Sequence, residues 1–61
     1  MKWLRKSAEA DYAPSQKELG SCYETGSGVE KDDAEAVKWY RKAAEQGDEE
    51  AKNVLKHLGA D

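Results

Sequence analysis

The string "KWLRKSAE" at residues 2–9 returns as "KWYRKAAE" at residues 38–45, a displacement of 36 positions. Lys2, Trp3, Arg5, Lys6, Ala8 and Glu9 recur as Lys38, Trp39, Arg41, Lys42, Ala44 and Glu45. Self-similarity at such a period is the signature of stacked repeats, each unit being one supersecondary element. No single unit buries its own apolar face, so neighbouring units have to cover it. A chain of 61 residues holds fewer than two such periods. The fold class implied is all-α: an antiparallel α/α hairpin repeat, a fragment of a solenoid with about four helices.

Composition narrows the function classes. Charged and hydrophobic residues each make up 38% of the chain, too apolar and too periodic for disorder yet thin for a core. One small domain is the most such a length supports, and its core supplies only about 3–5 kcal/mol. The net charge of −3 comes from interspersed acids and bases, not from the basic stripe a nucleic-acid partner requires. Cys22 is the only cysteine, so an intrachain disulfide is impossible. No apolar h-region follows "MKWLRK", and no run approaches the ~20 apolar residues of a membrane span. The expectation is a soluble chain without membrane contact. Its compartment stays open, because excision from a longer protein would remove any export signal.

Helical periodicity dominates and strand alternation is absent. The first helix is predicted over 2–10. A second begins near Pro14, which suits the first helical position because its missing N–H costs nothing there. It carries Leu19, Cys22 and Tyr23 on one face and ends about Thr25. Gly26 and Gly28 suit the following tight turn, and Val29 is predicted to tuck back between helices. Asp32 and Glu35 have the spacing of a capping box. The third helix runs to about Gln46 with Gly47 as its left-handed stop, and its buried stripe is Ala36, Val37, Tyr40, Ala43 and Ala44. Asp48 caps a fourth helix with Ala51, Val54, Leu55 and Leu58 on its face and Gly59 as its stop. Acids crowd the third and fourth helix starts, where they complement the helix dipole, so most of the negative charge needs no ligand.

Gly20 lies inside the second helix, where glycine costs about 1 kcal/mol relative to alanine. A close helix approach accounts for it, with Ala43 and Ala44 as the expected partners. Trp39 and Tyr40, about 100° apart around the third helix, are expected to face two different neighbours.

Taken together, Ser15, Leu19, Gly20, Tyr23, Gly26, Gly28, Val29, Asp32, Ala36, Trp39, Tyr40, Ala43, Ala44 and Gly47 resemble the Sel-1-like repeat, a relative of the tetratricopeptide repeat. Ser15 replaces the usual alanine. The resemblance divides the chain into a half repeat (1–11), a full repeat (12–47) and a capping helix (48–61). Asp11 stands where the family has a terminating glycine, which suggests a tighter or differently turned first link. Lys56 stands at the counterpart of Gly20 and bars an equally close approach there. The resemblance implies an α/α solenoid acting as a scaffold or adaptor that holds peptides or proteins on a concave surface. Its groove positions correspond here to Lys17, Ser21, Glu24, Thr25, Asn53 and His57, which lie off the apolar stripes and so have no packing duty.

Other chemistries find little support. Cys22 and His57 lack oxyanion donors and a third orienting group, so no catalytic residue is assigned. One histidine and one cysteine, far apart in sequence, form no metal cluster, and no cofactor is implied. The aromatic residues read better as core than as a stacking platform for single strands. Two readings remain: a protein-interaction module, or a designed or excised minimal repeat with a structural role and no natural ligand. The mid-repeat start favours the second; irregular text such as "KELGSCYETG" favours natural ancestry. The cut ends, Trp3 and Leu4 at one side and Val54, Leu55 and Leu58 at the other, are expected to be incompletely covered and available for head-to-tail homo-oligomer formation.

Overall fold

A computed structural model describes residues 2–59. Met1, Ala60 and Asp61, the outermost residues of the expected half repeat and capping segment, lie outside the described residues. Four helices follow in order: α1 (Lys2–Glu9), α2 (Ala13–Thr25), α3 (Asp33–Glu45) and α4 (Glu49–Leu58). Each packs on the next, α1 on α2, α2 on α3 and α3 on α4, as short connections between helices dictate. Among the described residues there is no strand.

The helix boundaries have local causes. Pro14 falls in the first turn of α2. Asp32 caps α3, its Oδ1 accepting from the amides of Ala34 (3.1 Å) and Glu35 (3.3 Å). The return half of the capping box does not form. The Asp32 amide donates instead to the Tyr23 carbonyl at 2.9 Å, so the end of α2 already supplies the acceptor that Glu35 would have offered. The Glu35 Oε2 is left buried without a partner. Asp48 caps α4 in the same manner, through the amides of Glu50 and Ala51.

The links α1–α2 and α3–α4 are the same turn, which overturns the expectation drawn from Asp11. The Gly47 amide donates to Ala44 O (2.9 Å) and the Asp48 amide to Ala43 O (3.2 Å). One period earlier, the Asp11 amide donates to Ala8 O (3.1 Å) and the Tyr12 amide to Ser7 O (3.2 Å). Asp11 adopts the left-handed conformation itself, with φ 68°, where Gly47 has φ 96°. Aspartate enters this region more readily than most side chains because its short polar group bonds locally. The turn therefore survives the loss of its glycine.

The core divides around α3. Trp39 packs with Ala8 of α1 and Leu19 of α2, with Leu4 and Tyr23 at its edge. Tyr40 packs with Ala36, Ala43, Ala51 and Leu55, which joins α3 to α4. The two adjacent aromatics thus serve two neighbours, as their angular separation implies. The nearest atoms to Gly20 belong to Tyr40 and Ala36, not to Ala43 and Ala44 as the sequence suggested. A Cβ placed on Gly20 would stand 3.1 Å from Tyr40 Cδ2 and Cε2 and 3.2 Å from the Ala36 carbonyl oxygen. The close approach is thus made by the Tyr40 ring together with the α3 backbone at Ala36. Val29, within the α2–α3 loop, is half-buried.

One buried polar residue ties the helices together. Gln16 is 1% exposed. Its Nε2 donates to the Ala8 carbonyl at 2.9 Å, and its Oε1 accepts from Gln46 Nε2 at 3.0 Å. It joins the ends of α1 and α3 across α2, satisfying a group that would otherwise be costly to bury.

Candidate peptide groove

Helices α2 and α4 face one another across a groove floored by α3. Its α2 wall carries Lys17, Glu18, Ser21 and Glu24, its α4 wall Glu50 and Val54, and Tyr40 lies beneath. An adjoining depression extends it through Glu24, Glu50, Asn53, Val54 and His57. The two share Glu24, Glu50 and Val54, so they form one continuous surface.

The groove residues inferred from sequence fall mostly here. Lys17, Ser21, Glu24, Asn53 and His57 line it; Thr25 does not, its hydroxyl donating to the Ser21 carbonyl at 3.0 Å near the end of α2. The absence of packing duty is corrected for two of them. Glu24 is half-buried and accepts a hydrogen bond from the Tyr40 hydroxyl at 3.1 Å. Lys17 is half-buried and pairs with Glu50 across the groove. Both act because α3 and α4 bring partners that no reading of α2 alone could supply.

Electrostatics follows from these contacts. The hydrogen bond to the Glu50 carboxylate holds the Lys17 ammonium above the ordinary lysine range. Burial pushes the Tyr40 phenol up to about 12, and the nearby Glu24 carboxylate adds to the effect. At neutral pH the floor of the groove is thus a neutral hydroxyl whose proton is already committed to Glu24. Val54 supplies an apolar step between polar walls. Among the described residues, no three His, Cys, Asp or Glu side chains gather as metal ligands.

The expected end residues have different fates. Trp3 is 73% exposed. Leu4 is half-buried against the cluster of Ala8, Leu19 and Trp39. Val54 is half-buried on the groove side, and Leu58 is half-buried against the α3–α4 core. Leu55 departs from expectation: at 8% exposure it belongs to the core, because Tyr40 and Ala51 already enclose it. The residue that sequence reasoning missed is Gln16. It lies three and four positions before Leu19 and Gly20, on the same stripe, and that spacing was the available signal.

The Sel1 repeat profile matches residues 1–12 and 13–48. The chain belongs to the Sel1 repeat family. Sel1 repeats mediate protein–protein interaction. Among curated proteins, this Sel1 chain is 43% identical over 56 residues to the DAP3-binding cell death enhancer 1 of Rattus norvegicus. It is 40% identical over 58 residues to the protein of the same name from Mus musculus. The matches cover 92% and 95% of this chain but only 11% of either relative. The Sel1 chain thus spans about a tenth of the length of these curated relatives. No solved structure matches it.

Proposed function

We propose that this Sel1 unit is a scaffold or adaptor module that holds a peptide or an exposed loop of a partner protein in the α2/α4 groove. The carrying observation is the continuity of the groove, with Glu24, Glu50 and Val54 common to both of its halves. Helix pairs of a solenoid offer such extended concave surfaces for binding. The name of the rodent relatives, which describes binding to DAP3, supports a protein as the class of partner. A bound segment would place an apolar side chain against Val54 and hydrogen-bond donors toward the outer oxygens of Glu24 and Glu50.

Peptides selected from a random display library against the immobilised chain provide the test. Amide shift perturbations on binding should trace Lys17, Ser21, Glu24, Asn53 and His57. Ser21→Trp, at an exposed position, should weaken binding at least tenfold with unchanged helicity. Perturbations confined to the outer face of α3, with Ser21→Trp binding normally, would refute the reading.

A further inference from the structure

Positive charge is unevenly placed around α3. Lys38 and Lys42 lie over the Trp39 ring, on the side where Trp39 meets Ala8 of α1. Along the α2/α4 groove, Lys17 is the sole lysine or arginine among the lining residues, and its ammonium is paired with Glu50. Glu18, Glu24 and Glu50 line the same surface, so one lysine stands against three glutamates and the net charge is −2.

Glu24 differs from the other two glutamates. Glu18 and Glu50 are exposed, whereas Glu24 is half-buried. Its Oε1 accepts from the Tyr40 hydroxyl at 3.1 Å. A neutral hydroxyl fixes the direction of the carboxylate without cancelling its charge. The proton stays on Tyr40 at neutral pH, since burial pushes the phenol up to about 12. No ion pair among the described residues takes up the Glu24 charge. The carboxylate is thus oriented in advance, which lowers the ordering cost of binding. Val54, on the α4 wall, borders both halves of the groove beside it.

We propose, on the reading that the groove is the binding surface, that the segment it holds is basic. A lysine or arginine of the partner donates to Glu24, and an aliphatic side chain near it in the segment covers Val54. Charge complementarity selects this occupant. An acidic segment would meet a negative surface whose one ammonium is already committed. A neutral segment would strip water from the Glu24 carboxylate and supply no counter-charge, which is costly. A charge-assisted bond to Glu24 repays that loss, because such bonds are about twice as strong as neutral ones. Tyr40 acts here as a positioning residue.

Three short acetylated and amidated peptides test this, each built around a central leucine. Their flanking positions hold lysine and arginine, glutamate and aspartate, or serine and glutamine. Titrated into the chain and followed by amide chemical shifts, the basic peptide should bind at least tenfold more tightly than the others and perturb Lys17, Glu24 and Val54. Its affinity should fall at least threefold as sodium chloride rises from about 50 to about 300 mM. Glu24→Gln keeps an acceptor for the Tyr40 hydroxyl and removes the charge. It should weaken the basic peptide at least fivefold at unchanged helicity and leave the serine–glutamine peptide unaffected. Lys17→Met keeps the aliphatic stem and releases Glu50, so it should tighten the basic peptide at least threefold. Equal or tighter groove binding by the acidic or neutral peptide would overturn the charge assignment while leaving the groove reading in place. Shifts confined to another face of the molecule would overturn both. Binding by none of the three at millimolar peptide would also overturn the basic segment, as would a Lys17→Met variant that binds the basic peptide no better than the parent.

Discussion

Trp3 and Trp39 sit in nearly the same local text, yet one is 73% exposed and the other 3%. Both lie on helices, and both are followed at the same spacing by arginine, lysine, alanine and glutamate. The difference comes entirely from what lies opposite. Trp39 faces Ala8 and Leu19. Lys38 and Lys42 also reach over its ring, at 5.6 and 5.5 Å from the centroid, adding cation–π attraction to the apolar contact. Nearly identical local sequence thus yields a core anchor in one place and a surface aromatic in the other. In a stacked-repeat protein, burial is a property of neighbouring units and not of the helix that carries the residue.

The sharpest way to break this comparison is to truncate both indoles. Trp39→Ala should cost about 3–5 kcal/mol, the usual loss for a buried large aromatic, and that is enough to unfold so small a domain. Trp3→Ala should stay within about 0.5 kcal/mol, as surface changes do. Thermal melts followed by circular dichroism would separate the two. Equal losses would mean that Trp3 is part of the folded core.

A second pair compares Gly20 with Lys56. Gly20→Leu drives a side chain into Tyr40 and the Ala36 carbonyl, and such overpacking costs about 1–3 kcal/mol. Lys56→Leu lies on an exposed position and should leave the melting temperature nearly unchanged. If Gly20→Leu melts within a few degrees of the parent, the close approach of Tyr40 is not what requires the glycine.

Tyr40 and its counterpart Leu4 sharpen the comparison through pH. The folded phenol is raised to about 12 from an ordinary value of 10.0, so the unfolded chain gives up its proton first. The neutral form is favoured by folding, and its contribution is fully present below pH about 10 and lost as pH rises toward about 12. Lys17, also raised, acts in the same direction. Tyr40→Phe should flatten part of this alkaline limb in denaturant titrations. An unchanged limb would take the effect away from Tyr40 and leave Lys17 as its source.

The smallest effect belongs to the two turns. Asp11→Gly should stabilise the chain by at most about 1 kcal/mol, since relief of the left-handed strain is partly offset by the freer unfolded chain. Gly47→Asp should destabilise by a similar amount. Chemical denaturation would show both, and a loss of stability in Asp11→Gly would mean that the carboxylate itself holds the turn.

Much of the fold is legible in the sequence because it rests on local rules. The period, the four helices, the caps at Asp32 and Asp48, and the glycine stop at Gly47 depend on residues within a turn or two of one another. So does the family pattern, whose spacing is preserved through residues 15 to 47. The groove was legible to the extent that residues off the apolar stripes have to point away from the core. What α2 could not reveal was who would meet those residues. Glu24 gained Tyr40, Lys17 gained Glu50, and Gln16 gained the Ala8 carbonyl and Gln46.

The sequence by itself determined where each helix begins, how it ends, and which face it has to bury. Those outcomes follow from backbone hydrogen bonding and side-chain periodicity, which act over a few residues. Only the tertiary structure decided that Gly20 makes room for Tyr40, that Leu55 is enclosed, and that Asp11 is bent into the conformation of a missing glycine. It also left Trp3 bare while covering Trp39, although the two share their neighbours in sequence. The physical reason is that removal from water depends on surfaces brought together across the chain, and two copies of one helix can meet different surfaces.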